Sequence, residues 1–342
     1  MSLELDPGTA AYFGLPERIY LPAAQATPFL ADTDRQVTLE GLARALEAAA
    51  AHAPEQAGRF EVLRFLRRWP RYAALGRFLR VNNATFARAV AAGLLEEDPG
   101  DPPALGALGA LAARAGRWEE ARDLLSRALE EAPSHAPTAL QLALAGAACG
   151  DRAGALMRLD PLTRHPRVQA PARLWSYEIA GAPEQDLASR VARGISAFQA
   201  IDGEGDAEAA WAALRDAFPE NPEALLAAAV SLRSRDAAQC EVLLRRALAC
   251  RPDHAPARGL LAESLVEDGK KEEALAVLQE GLKATPSAPL LQRQVGSVLE
   301  RSGRPAEAAA AYRAYARLAP NAPDARDIAA RAARLEAAGG NP

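Results

Sequence analysis

Pro252, Pro286 and Pro320 recur at a step of 34 residues, and each closes a segment of the same pattern. A fixed period of roughly 20 to 50 residues constrains a chain more than its composition does. Each period is one supersecondary unit that cannot bury its apolar face alone and must stack on its neighbours. In 289–322, Ala308 is followed by Tyr312, Tyr315 and Pro320; in 255–288, Ala274 is followed by Leu278, Gly281 and Pro286; in 221–254, Cys240 is followed by Leu244, Ala247 and Pro252. The segment 188–220 carries Ala207, Trp211, Leu214 and Pro219, one residue shorter. Steps of four and three residues place these side chains on one face of a helix. The first position is small because two helices touch there, the next two fill the gap to the following unit, and the proline stands past the helix end, where it cannot continue the helix.

The same frame runs upstream. Unit 102–135 has Leu108-Gly109, Ala121, Leu125, Ala128 and Pro133; unit 136–169 has Leu142-Ala143, Ala155, Leu159, Leu162 and Pro166; unit 68–101 is degenerate, with Ala74-Leu75, Phe78, Ala87, Ala91 and Pro99. Turns between paired helices read Glu267-Asp268-Gly269-Lys270-Lys271 and Arg301-Ser302-Gly303-Arg304-Pro305. Glycine there supplies the C-terminal cap, and Pro305 suits a first helical turn. Between 170 and 188 only half a repeat fits, which predicts an extra helix over 172–180 and a joint.

This pattern resembles the tetratricopeptide-repeat family: the second-helix half matches Ala…Phe…Ala…Pro well, and the first-helix half matches through Val295-Gly296 with Leu299 and, more loosely, Leu261-Ala262 with Leu265. The resemblance implies an all-α, right-handed superhelical solenoid of helix-turn-helix repeats in two arrays. The predicted organisation is an extended or disordered arm over 1–35, degenerate helical repeats over 36–187 (68–101, 102–135, 136–169 and the helix 172–180), and a second array over 188–322 (188–220, 221–254, 255–288, 289–322). A capping helix follows over 323–338, because arrays need a polar-backed end. Two further helices are expected over 38–51 and 55–68.

Composition agrees with a soluble helical chain: apolar residues are 49%, charged residues 25% and aromatic residues 5%. Much of the apolar share is alanine, which favours helices that approach closely. The net charge of −4 gives no global drive toward nucleic acid or anionic membrane. Cys149, Cys240 and Cys250 show no CxxC spacing, and His52, His135, His165 and His254 are isolated; His135 and His254, in equivalent loops after Pro133 and Pro252, read as structural or exposed rather than paired. Asp202-Gly203-Glu204-Gly205-Asp206 alternates carboxylates like part of a calcium loop but has Ala213 where the distal Glu belongs, and Asp206 reads as a helix cap. No nucleophile, metalloprotease, phosphate-loop or dinucleotide motif stands in context. The reading is therefore a non-catalytic, cytoplasmic chain with no metal, no cofactor and no membrane insertion.

The family resemblance implies a concave face lined mainly by the first helix of each hairpin. By frame, that groove includes Leu140 and Leu144, then Leu225, Ala229 and Leu232, then Glu263, Arg293 and Glu300, and it would take a peptide or amphipathic helix of a protein partner. The carboxylate-gripping Lys, Asn and Arg set of chaperone-binding members is missing. A second surface is Arg59–Arg80, where seven Arg interleave with aromatic residues; Arg64, Arg67, Arg68 and Arg71 fall at helical spacing, interrupted by Pro70. It suits an acidic partner or phosphates and bases, against the plainer reading of a solvated charged face; nucleic acid is disfavoured. The arm carries Tyr12, Phe13, Tyr20 and Phe29, and either the array's own groove or a partner is a destination for it. Self-association is compatible with such surfaces.

Overall fold

The computed structural model describes residues 2–4, 7–15, 18–20, 43, 44, 47, 60–166, 168–202 and 213–339. The chain forms an all-α helical repeat fold with one short strand pair at its start. Two compact units divide between Glu204 and Gly205.

In the first unit, β1 (Ser2–Glu4) pairs antiparallel with β2 (Arg18–Tyr20) around α1 (Pro7–Phe13). Then come α2 (Phe60–Arg80) and α3 (Ala84–Glu97), α4 (Pro102–Arg114) and α5 (Trp118–Glu131), α6 (Ala136–Ala148) and α7 (Arg152–Leu162), and α8 (Gln169–Gly181) and α9 (Leu187–Asp202). The second unit holds α10 (Pro222–Leu232) and α11 (Ala237–Cys250), α12 (Ala255–Glu267) and α13 (Lys271–Ala284), α14 (Pro289–Arg301) and α15 (Pro305–Leu318), and α16 (Ala325–Gly339). Residues 213–217 are helical ahead of α10.

The repeat positions sit where their period places them. Ala121, Leu125 and Ala128, Ala155 and Leu159, Cys240, Leu244 and Ala247, Ala274 and Leu278, and Ala308 and Tyr312 are all buried. Close approach explains the small residues: a Cβ on Gly109 would meet Leu125 Cγ at 2.7 Å, and one on Gly281 would meet Arg258 Cδ at 2.2 Å. Gly269 and Gly303 turn the hairpins at φ 81° and 72°, the left-handed region that a Cβ disfavours.

Helix starts are capped by side chains that accept orphan N–H groups: Asp101 from Ala104, Asp151 from Gly154, Asn221 from Glu223 and Ala224, and Asp236 from Gln239. At α12 the cap is His254, fully buried, whose Nδ1 accepts from Ala257 N at 3.1 Å. Nδ1 is therefore unprotonated, and Nε2 carries the hydrogen donated to Glu223 Oε1 at 2.9 Å. His254 is thus paired, contrary to the sequence expectation, and it joins the first turn of α12 to that of α10. Replacing it with Ala removes a cap and one partner of a buried carboxylate, so it is expected to lower stability by about 2–3 kcal/mol. His254→Asn, which keeps the cap, should recover about 1 kcal/mol of that. Urea unfolding of the two variants checks both figures, and equal losses would remove the cap from the account.

Three expectations change. The helix predicted to end near Pro70 runs through it as the single α2, since a proline removes one N–H and bends a helix without necessarily ending it. The first part of the predicted unit 188–220 does not open the second array. Leu187 and Val191 are buried and Ile195 half-buried on one stripe of α9, and this stripe turns the helix back onto α6 and α4 of the first unit. Within the arm, residues 7–13 form helix α1, while residues 21–35 lie outside the described residues, as do Asp206 and Trp211. The helix expected over 38–51 falls mostly outside them too.

Candidate functional site

The first helices of the hairpins, α4 and α6, offer the face on which the groove residues of the first array were placed. This chain's own elements already lie there. At one end α1 packs on α4 and α5. The Tyr12 hydroxyl reaches α4 at Gly106, where a Cβ would stand 2.5 Å from it, and the Tyr12 ring stacks on His135 with centroids 3.8 Å apart. Burial first, then the nearby Asp101 carboxylate, pushes the Tyr12 hydroxyl far above its ordinary value. At the other end, Ile195 of α9 packs on Ala112, Ala113, Leu142 and Ala145. Leu144 is buried and Leu140 half-buried.

The second candidate surface is not an open basic face. Arg68 is buried and donates to Asp101 Oδ2 at 2.9 Å and Asp98 Oδ2 at 3.2 Å. Tyr72 OH donates to the same Asp101 oxygen at 2.7 Å, so this carboxylate, also the cap of α4, ties α2 to the next hairpin. Arg71 holds Glu97 with both terminal nitrogens, at 2.7 and 2.9 Å, and this pairing lowers the Glu97 carboxyl below its usual range. Arg67 is exposed, and the side chain of Arg64 lies outside the described residues. Two of the four arginines thus serve the fold, because acidic residues at the α3–α4 connection stand opposite them.

The second unit carries an open recess of about 230 Å³ over α12, α14 and α16. Its apolar wall is Ala262, Val266, Val298 and Ile328; its polar wall includes Glu263, Arg293, Gln294, Ser297, Arg301 and Arg331. Glu263 and Arg293 were expected at such a groove. Glu300 lies beside it, taking two bonds from Arg331 at 2.8 and 3.0 Å and one from Tyr312 OH at 2.9 Å. Burial works to raise the Glu300 carboxyl, but those donors outweigh it and hold it below the usual range. Tyr312 is pushed up to about 12 by burial and by its bond to Glu300. Arg233 anchors Glu263 at 3.0 Å, and Arg293 holds Asp324 at 2.8 Å. Arg301 is exposed with no ion pair among the described residues.

Leu225 and Ala229 correct the expected groove: both are fully buried in the core with Leu243, Leu244 and Leu261, and Leu232 packs against that cluster. A frame displaced by one residue turns a helix by about 100°, enough to exchange groove for core. The sequence missed Gln294, Arg301 and Arg331 at the recess; the apolar stripe of α16 marked a cap, but not that Ile328 and Arg331 would form a wall.

Among the described residues, no three His, Cys, Asp or Glu gather as a metal-holding group, and no helix is long and apolar enough to cross a membrane. The three cysteines are free, and burial raises each thiol.

Two models of the tetratricopeptide repeat match the sequence, one over residues 232–289 and 260–323 and the other over 82–145. A comparison with curated proteins finds no match. Among solved structures, the APC/C hetero-tetramer Cut9-Hcn1 matches at 15% identity and TM-score 0.36, over 84% of this chain and 52% of that one, so the chain spans about half that relative's length. A tetratricopeptide repeat protein from Parabacteroides merdae ATCC 43184 matches at 14% identity and TM-score 0.36, over 77% of this chain and 99% of that one. A thermophilic protein of the same repeat class in Thermus thermophilus matches at 21% identity and TM-score 0.29, over 66% of this chain and 96% of that one.

Proposed function

We propose that this chain, which matches models of the tetratricopeptide repeat over residues 82–145 and 232–323, is a scaffold or adaptor whose second unit receives a segment of a protein partner; such repeats are generally protein–protein interaction modules and generally non-catalytic. The observation that carries this reading is the recess over α12, α14 and α16, which stands open on the first-helix face of the second unit. Its apolar wall suits one apolar side chain, and the exposed guanidinium of Arg301 suits an acidic group beside it. The surrounding charges are already held in pairs, Arg233 with Glu263 and Arg331 with Glu300, so the recess keeps its shape when empty. The basic stretch 59–80 gives weaker support to a nucleic-acid reading, because Arg68 and Arg71 are engaged internally.

Ser297 is exposed on the recess wall, so Ser297→Trp fills the space without entering the core. Capture of partner from a native extract is expected to weaken at least about tenfold, equivalent to ~1.4 kcal/mol. Helicity and the unfolding midpoint should stay within the wild-type range. Unchanged capture by a folded Ser297→Trp protein would remove the recess from consideration.

A further inference from the structure

We propose that the turn between α2 and α3 is a second docking surface, fitted to a short acidic segment of a protein partner that also carries an apolar side chain. Residues 62–95 hold seven arginines and no carboxylate. Arg68 and Arg71 are held by Glu97, Asp98 and Asp101, at the C-terminal end of α3 and just beyond it. Arg71 meets Glu97 while Phe78 meets Phe86, so α2 and α3 run antiparallel and those acids lie away from the turn. Arg80 stands nine residues past Arg71, roughly 13 Å further along the helix. Arg77 and Arg80, in the last turn of α2, are exposed and form no ion pair among the described residues. Elsewhere the chain matches exposed arginines with acids, as in Arg117 with Glu120, Arg245 with Glu241 and Glu273, and Arg304 with Glu307. At the helix end it is Arg114, not these two, that donates to Leu79 O, at 2.8 Å.

The same turn exposes apolar surface. Val81 is 66% exposed and Phe86 58%. Val81 N bonds to Arg77 O at 3.0 Å, so Val81 continues the helical turn above Arg77. Phe86 stacks on Phe78 with ring centroids 5.3 Å apart, which holds its ring in place at the surface. A segment with carboxylates for the two guanidinium groups and one apolar side chain for Val81 and Phe86 answers both features. Extended polyanions fit less well. The chain carries a net charge of −4, and an oligonucleotide or an anionic bilayer also meets its acidic remainder. A short segment feels only the charges within a Debye length, about 8 Å at physiological ionic strength. Val81 offers a base neither a stacking face nor a hydrogen bond. This surface belongs to the first unit and uses none of the residues of the recess.

The test titrates the full-length protein against a fluorescein-labelled helical peptide of glutamate, alanine and leucine, read by fluorescence anisotropy. Saturable binding that weakens as salt rises is expected of wild type. Arg77→Glu combined with Arg80→Glu should weaken it at least about tenfold, and Phe86→Ser at least about threefold. Ser297→Trp, at the recess of the second unit, should leave it unchanged, so this proposal and the recess reading fail separately. The neutral pair Arg77→Gln and Arg80→Gln replaces the charge reversal should that variant disturb α2, and it too should weaken binding. Loss in both the arginine and the Phe86 variants, with Ser297→Trp unaffected, supports the proposal; any other pattern overturns it. Absence of saturable binding up to about 1 mM peptide, the weak end of measurable affinity, overturns it as well. So does tighter binding, through the same residues, of single-stranded oligothymidine or of phosphatidylserine vesicles.

Discussion

Arg68→Ala is expected to destabilise the first unit by about 3–5 kcal/mol, the usual consequence of removing one partner from a buried ion pair. Arg68 is only 7% exposed and Asp101 1%. Without the guanidinium, Asp101 keeps only the Tyr72 hydroxyl and the Ala104 N–H, and a carboxylate remains in a site that water hardly reaches. The same oxygen set caps α4, so the loss spreads from the α2–α3 hairpin into the next one. Arg67→Ala, one residue away and exposed, should stay within about 0.5 kcal/mol of wild type. Because repeat units unfold piecewise, hydrogen exchange across α2 to α4 reads the effect better than a global midpoint. Protection unchanged in Arg68→Ala would mean that the pair contributes nothing, and would return this arginine to the candidate surface.

Trp175→Ala carries the second large effect, about 3–5 kcal/mol from lost transfer energy and the cavity left behind. Trp175 is 1% exposed and the largest fully buried side chain among the described residues. It stands on α8, which packs on α7 and α6. If α8 were a loosely attached extra helix, the substitution would cost under about 1 kcal/mol, as at a surface position. Trp118→Ala, at a half-buried position, is the comparison, and unfolding in urea with intrinsic fluorescence separates the two.

The helix-B core was legible because it is a local property. Ala274, Leu278 and Gly281 recur at steps of four and three, and a period near 3.6 places them on one face whatever lies opposite. Hairpin turns were legible through Gly269 and Gly303. The groove was legible only in part. Glu263 and Arg293 reach the recess, whereas Leu225 and Ala229 fall into the core, since alanine-rich first helices are apolar on several faces and leave the frame free to slip. The basic stretch misled for another reason: Asp98 and Asp101, which neutralise it, lie some thirty positions away and show no periodic relation to it.

By itself the sequence determined most of the repeat helices, their turns and the positions at which paired helices touch, but not α1 or the run of α2 through Pro70. What it determined depends on hydrogen bonds and side-chain contacts between residues a few positions apart, where periodicity is a sufficient record. Only the tertiary structure decided which first-helix faces are covered. The stripe of Leu187, Val191 and Ile195 shows that α9 must be buried, and Tyr12 shows that the arm can anchor, but neither names its destination. Covering a face is set by association between distant segments, through shape complementarity such as Gly106 against Tyr12 and through charge pairing such as Arg68 with Asp101. Such contacts leave no regular spacing in the chain.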